Sequence, residues 1–528
     1  METFWKNAGG GFSGAPRPDA AAQIARALGR ATDTEVYADS VAAEGGGVLA
    51  LARRGLEKFI LLAYSQELLG GLRVSFVFSG EPRRKTLPFG KVRLLESPAD
   101  SANATALRAA LPWTAPQMIA RRLSIGLGDR LGLATPGHVR AVAGTGYVPM
   151  LAQQSIREMT RTHRSPQDVM NDATWGVFQT GFRTGFGADA DHLKSTDDID
   201  RCAAAGFTFY TVDPGDHVAG EADQADAGTL AEAFEALPWG ALETTAGDAV
   251  ARYAGKDVAL QSGAVLALDL TTVHRAAVKY GRAVAHTAAL YRHLVETLGK
   301  GAFELEVSVD ETVAPTSIAE HYYVAAELAR LGVEWVSLAP RFVGRFEKGV
   351  DYIGDLAELE RTFVDHLAVA AQFGDYKISL HSGSDKFSVY AMAARHGGQR
   401  VHVKTAGTSY LEALRVTAAR EPALFREILA FARERYETDK ATYHVSADLA
   451  KVPAPDDLAD DALPQVLDAF DSRQALHVTY GSVLTADGGE RFRSRLLTAL
   501  KTHEEAYAEA LEKHIGRHLE AFLKKASR

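Results

Sequence analysis

The 528-residue sequence predicts a decorated (β/α)8 barrel of the TIM type, preceded by a smaller N-terminal α/β domain. Three observations predict it. The length exceeds the ~250 to 300 residues at which one hydrophobic core stops growing, so two structural units are expected. A polar, small-residue stretch, SPADSANATALRAALPW at 97–113, reads as a boundary between them. Beyond it, short apolar runs each end in polar residues and are followed by a helix-length segment, the pattern of βα units around a parallel sheet.

Residues 1–115 read as mixed α/β, with strand-like runs KFILLAY (58–64) and RVSFVF (73–78). Residues 116–500 are expected to form the barrel. The candidate strands, in order, are RLSIGLG, YVPMLAQ, FGADAD, FTFYTVD, FELEVSVD, VEWVSLAP, YKISLHSG, RVHVKTAG, TYHVSAD and ALHVTYGS. That is ten where a closed barrel needs eight, so the excess is an added strand or a misread helix edge. Residues 215–260 interrupt the repeat as a polar, helical insertion. In 501–528, Tyr507, Leu511, Ile515, Leu519 and Phe522 recur at helical spacing and mark an amphipathic helix that packs on the rest.

Composition narrows the function. A net charge of −9 argues against nucleic acid as a partner, and no apolar run is long enough to span a bilayer. A single cysteine, Cys202, and an N-terminus without a signal pattern point to the cytoplasm. The composition is compatible with a homo-oligomer. Several signatures are lacking. DADHLKSTDDID places Lys194 and Asp200 where a calcium loop needs Gly and Glu, and GLGDRLG is only a loose echo of a dinucleotide loop. No P-loop, HExxH or G-x-S-x-G pattern occurs.

Barrel chemistry sits at the carboxyl ends of the strands, and nearly every candidate strand here ends in reactive side chains. They are Asp191, His192 and Lys194; Asp213, Asp216 and His217; Glu304, Glu306, Asp310 and Glu311; Arg341, Glu347 and Lys348; His381, Ser382, Asp385 and Lys386; His402 and Lys404. Imidazoles beside carboxylates suit a divalent metal such as Zn, Mn, Co or Ni, with His192 and His381 the first choices. His402, two residues before Lys404, reads better as interior packing. His514 and His518 stand four apart on the charged C-terminal helix and are read as a solvated face.

The motifs DATWGVFQTGFRTGFGADADHLK, TVDPGDHV, EVSVDETVAPTS, RFVGRFEKGVDYIGDL, YKISLHSGSDKFSVY, HVKTAGTSYLEA, YHVSADLAKVP and HVTYGSVL occur in the order found in the tagaturonate epimerase family. The resemblance runs from about residue 123 to the C-terminus. It implies interconversion of D-tagaturonate and D-fructuronate, two ketohexonates differing at one carbinol carbon, with a divalent metal required. It further implies Asp191 as proton acceptor, Glu306 as proton donor, and His192 and His381 as metal ligands. An acid/base group on each face of the inverted carbon is what an epimerase needs. Glu347 is the chemically sensible third ligand. Lys194, Asp213, Arg341, Lys348, Ser382 and Lys404 are expected to hold the substrate.

The inverted carbon lies β to the ketone, so its hydrogen is not acidified, and retro-aldol cleavage with re-addition avoids an unstabilised carbanion. Two-base proton abstraction is the competing route. The same parts would also serve a metal-dependent sugar-acid aldolase, or a non-catalytic sugar-acid binding barrel.

Overall fold

The computed structural model describes residues 16–44, 47–64, 83–87, 90–119 and 122–526. The run RVSFVF lies outside them.

The N-terminal part is an antiparallel sheet of β1 (Glu35–Val36), β2 (Ala42–Glu44), β3 (Gly47–Arg54), β4 (Glu57–Tyr64), β5 (Arg83–Leu87) and β6 (Gly90–Pro98), ordered β1-β3-β4-β6-β5 with β2 on β3. Its apolar strands alternate side chains between two covered faces. Val48, Ala50, Leu61 and Leu94 meet Ile24 and Leu28 of the helix Pro18–Thr32. Leu49, Leu51, Ile60 and Leu62 meet Leu107 and Phe178, from the helices Ser101–Ala110 and Pro166–Thr180.

The barrel is closed and all-parallel, built from eight strands: β7 (Ser124–Leu127), β8 (Val148–Ser155), β9 (Gly187–Leu193), β10 (Phe209–Val212), β13 (Glu304–Val309), β14 (Ser337–Pro340), β15 (Lys377–Leu380) and β16 (Val401–Thr405). Pairing of His402 with Ser124 and of Lys404 with Gly126 joins the last strand to the first. These are the first eight of the ten candidate runs. The other two are corrected: TYHVSAD forms no strand, and ALHVTYGS lies in the helices Phe470–Val478 and Tyr480–Thr485. Once the ring has closed, its hydrogen-bonding edges are used up. Leu476, Tyr480 and Leu484 are instead buried as helical residues against Leu411, Leu414 and Ile428. Between β10 and β13 the insertion contains the helices Ala227–Glu235 and Ala246–Tyr253 and a hairpin, β11 (Lys256–Ala259) and β12 (Val265–Leu268), that the sequence reading missed.

Serine ends several βα turns and starts the following helix. Ser195 accepts from Asp198 N, and Ser155 and Ser317 form capping boxes with Glu158 and Glu320. The C-terminal helix Glu504–Ala526 buries Tyr507, Leu511, Ile515, Leu519 and Phe522 as its spacing predicts. Gly137 allows its close approach, since a Cβ there would lie 2.6 Å from Leu511 Cβ. His514 and His518 are not a solvated face. Both are buried, because His514 Nε2 lies 2.6 Å from Asp385 Oδ1 and His518 Nε2 accepts the Asp385 backbone N–H at 3.0 Å.

Among the described residues no helix is long and apolar enough to cross a membrane.

Candidate active site

Along β9 the period of two turns Asp189 and Asp191 to the same side, into the barrel. The next residue, His192, escapes the alternation through a left-handed backbone, φ 55°, beside a register shift between β9 and β10. An irregular strand end thus re-aims the imidazole toward the rim. Ser382 and Asp385, in the loop leaving β15, are also left-handed, at φ 51° and 62°.

The barrel interior is unusually polar, and Lys404 organises it. Its buried ammonium lies 2.7 Å from Asp189 Oδ2, 2.8 Å from Asp191 Oδ1 and 2.7 Å from Glu306 Oε1, and it donates to Thr211 Oγ1 at 2.6 Å. Burial disfavours that charge, but the three carboxylates outweigh it and hold the lysine well above its usual range. Burial pushes Asp189 up to about 6 against the pull of Lys404. Burial also acts on Asp191 and Glu306, yet His192 and Lys404 hold the first, and Lys404 and His381 the second, well below the usual carboxylate range.

Above this floor three strand ends converge. His192, Asp310 and His381 each offer a ligand atom within 4.8 Å of the others. Asp310 Oδ1 stands 3.3 Å from His381 Nδ1 and 3.9 Å from His192 Nε2. The far ring nitrogens face carboxylates: His381 Nε2–H donates to Glu306 Oε1 at 2.6 Å, and His192 Nδ1 lies 2.9 Å from Asp191 Oδ1. Carboxylates behind imidazoles orient metal-binding histidines and turn their lone pairs toward the ion. Burial lowers both imidazoles, but Asp191 lifts His192 to about 9, and Asp310 with Glu306 lifts His381 to about 10. The donor set and its negative surroundings fit a divalent cation.

The structure does not bring Glu347 to this group. Its Oε2 accepts from Ser446 Oγ at 2.7 Å and Gln474 Nε2 at 2.8 Å, so Asp310 stands where Glu347 was expected. Lys194 and Asp213 also lie aside. Lys194 Nζ pairs with Asp216 Oδ1 at 2.8 Å, and Asp213 Oδ1 accepts the Gly215 N–H. Glu304, at the start of β13, faces the opposite end of the barrel and accepts the Ile119 N–H. His402 is interior packing, with Nδ1 2.9 Å from Ser124 Oγ.

Arg341, Lys348, Ser382 and Lys404 do line one cavity of about 210 Å3 together with Asp191, His192, Asp310 and His381, and Glu306 lies beneath it. The same cavity takes in Gln153, Arg130, Arg157, Tyr443 and His477, which sequence reasoning missed. Arg130 sits in the loop set aside as a dinucleotide echo, and His477 in the run misread as a strand. A second triad, Asp385, His514 and His518, also has metal-capable atoms. There Arg473 Nη2 already supplies the cation, 2.7 Å from Asp385 Oδ2, so that group fastens the C-terminal helix instead.

The family model described as UxaE, tagaturonate epimerase, matches residues 37–522. The chain belongs to the tagaturonate epimerase family. Over 450 residues it is 43% identical to the tagaturonate/fructuronate epimerase of Thermotoga maritima, covering 84% of this chain and 91% of that one. Crystal structures of fructuronate-tagaturonate epimerase UxaE from Cohnella laeviribosi superpose closely. The form with one glycerol has a TM-score of 0.86 at 37% identity, covering 95% of this chain and 99% of that one. The native form gives 0.85 at 38% identity over the same shares. The chain is therefore an enzyme, an isomerase of the epimerase type.

Proposed function

We propose that the enzyme interconverts D-tagaturonate and D-fructuronate, with a divalent cation held by His192, Asp310 and His381. The observation that carries this reading is the convergence of two imidazoles and a carboxylate from β9, β13 and β15 directly over the Asp191–Lys404–Glu306 chain, within one cavity. Bound there, a divalent cation supplies Lewis-acid polarisation of the substrate's oxygens.

The chain's own residues do the remaining work. Asp191 lines the cavity and accepts the proton of the hydroxyl on the carbon to be inverted. The bond from that carbon to the ketone's α-carbon breaks, its electron pair passing to the ketone fragment as an enediolate while the other fragment becomes an aldehyde. The aldehyde turns its other face, the bond re-forms, and the new alkoxide recovers a proton. Lys404 hydrogen-bonds Asp191 and stands against Glu306, so it ties the two carboxylates electrostatically and steadies Asp191 as its charge changes. Glu306 orients His381 and, ionised at rest, donates on the other side only after the proton taken by Asp191 reaches it through Lys404, which touches both carboxylates.

Incubating the purified protein with D-tagaturonate and a panel of Zn, Mn, Co and Ni ions tests the proposal. D-fructuronate should accumulate, stop on chelation and resume on metal return. No conversion with any ion would refute it, and build-up of a three-carbon fragment would mark an aldolase.

A further inference from the structure

Away from the triad, the cavity wall is built of cations whose donors are only partly used. Arg130 is fixed by the turn after β7, where Asp129 accepts the backbone N–H groups of Leu131, Gly132 and Ala134. Its guanidinium stacks 3.7 Å above the Tyr480 ring, and Nε and Nη2 both donate to Glu158 Oε1, at 2.8 and 2.6 Å. The Nη1 donor, buried, has no partner among the described residues. His477 is buried on the helix Phe470–Val478, and its Nδ1 likewise has none. Burial, reinforced by the charges of Arg130, Lys348 and Arg473, keeps this imidazole neutral, which marks the surroundings as positive. Lys348 Nζ donates to Ser382 Oγ at 2.6 Å, and no carboxylate lies within ion-pair range of it among the described residues. Gly407 leaves the room that His477 occupies, because a Cβ there would lie 1.8 Å from its Nε2.

We propose that Arg130, His477 and Lys348 form the subsite for the substrate's carboxylate, and that this subsite decides between a ketohexonate and a neutral ketohexose. The inference rests on the ketohexonate reading above and adds which residues recognise the acid. Buried donors left without an acceptor are costly, so a site built this way disfavours a ligand that ends in a plain hydroxymethyl group. The neutral imidazole contributes one N–H beside two permanent cations, which suits a planar carboxylate.

The test uses binding, not turnover. Calorimetry on the purified full chain compares D-gluconate, a hexonate, with D-glucitol, the matching alditol. The wild type should prefer the hexonate. Lys348→Met, His477→Leu and Gly407→Ala should each shrink that preference by about tenfold or more, while glucitol binding stays within about twofold. His477→Asn, which keeps a donor near the Nδ1 position, should retain most of it. Equal weakening of both ligands, or a preference that survives Lys348→Met, would overturn the subsite. Lys348 is only half-buried, so its variant decides the matter if the His477 variants do not fold. Failure to convert D-tagaturonate with the hexonate preference intact would instead count against the epimerase reading alone.

Discussion

The ammonium of Lys404 lies 2.7 Å from the Asp189 carboxylate, closed off from water inside the barrel. It is shared with Asp191 and Glu306, so one cation touches three buried acids. Breaking such a buried pair leaves charge uncompensated. Lys404→Met should therefore lower stability by about 3–5 kcal/mol and remove activity, read as a lower urea midpoint. An unchanged midpoint would mean that the acids are already protonated.

Metal content discriminates between Asp310 and Glu347. Replacing His192, Asp310 or His381 by Ala should lower bound metal and activity together, whereas Glu347→Gln should keep its metal. Elemental analysis after dialysis against a weak chelator measures this. Retention in Asp310→Ala with loss in Glu347→Gln would reverse the assignment.

Asp191→Asn and Glu306→Gln preserve size and most packing. With saturating metal, since each carboxylate also orients an imidazole, turnover should fall by on the order of 10² to 10⁴ in each. Near-normal turnover in either variant would remove that residue from proton transfer.

Solvent isotope distinguishes the two routes. Cleavage and re-addition keep the hydrogen on the inverted carbon throughout, as the aldehyde hydrogen. Product formed in D₂O at early conversion should carry no deuterium there, and substrate deuterated at that carbon should keep its label without a large primary isotope effect. Solvent deuterium at that carbon, or a large primary effect, would exclude cleavage in favour of two-base abstraction.

Acid should destabilise the fold through buried histidines. Burial lowers His138 and His518 to about 4 and His366 to about 3, against 6.5 for a free imidazole. Between those values the unfolded chain binds protons that the folded chain refuses. The stability these three contribute is thus complete above pH 6.5 and is lost as pH falls toward 4. Urea midpoints measured from pH 7 to pH 4.5 should fall, with net proton uptake on unfolding. His366→Asn should flatten the slope.

Much of the barrel was legible because each of its strands is a short apolar run ending in chemistry-bearing residues. The two surplus runs were not, since a run such as ALHVTYGS suits a strand or a buried helix equally, and only ring closure by β16 and β7 decides between them. At the site, His192 and His381 stood out as imidazoles at strand ends. Glu347, the third ligand expected beside His192 and His381, lies outside their group for a non-local reason. Ser446 and Gln474, about a hundred residues further along, occupy Glu347. His514 and His518 misled through charged neighbours on their own helix, because their burial depends on Asp385 in a distant loop.

The hold of His514 and His518 on Asp385 has a temporal side. Asp385 sits in the turn that also carries His381 and Ser382, so the last helix of the described chain braces the site from behind. Translation proceeds from the amino end, and this helix leaves the ribosome after every strand of the barrel. A nascent chain can therefore hold all eight strands and still lack a settled loop around His381. The turn that carries His381 is braced only once His514 and His518 have reached Asp385.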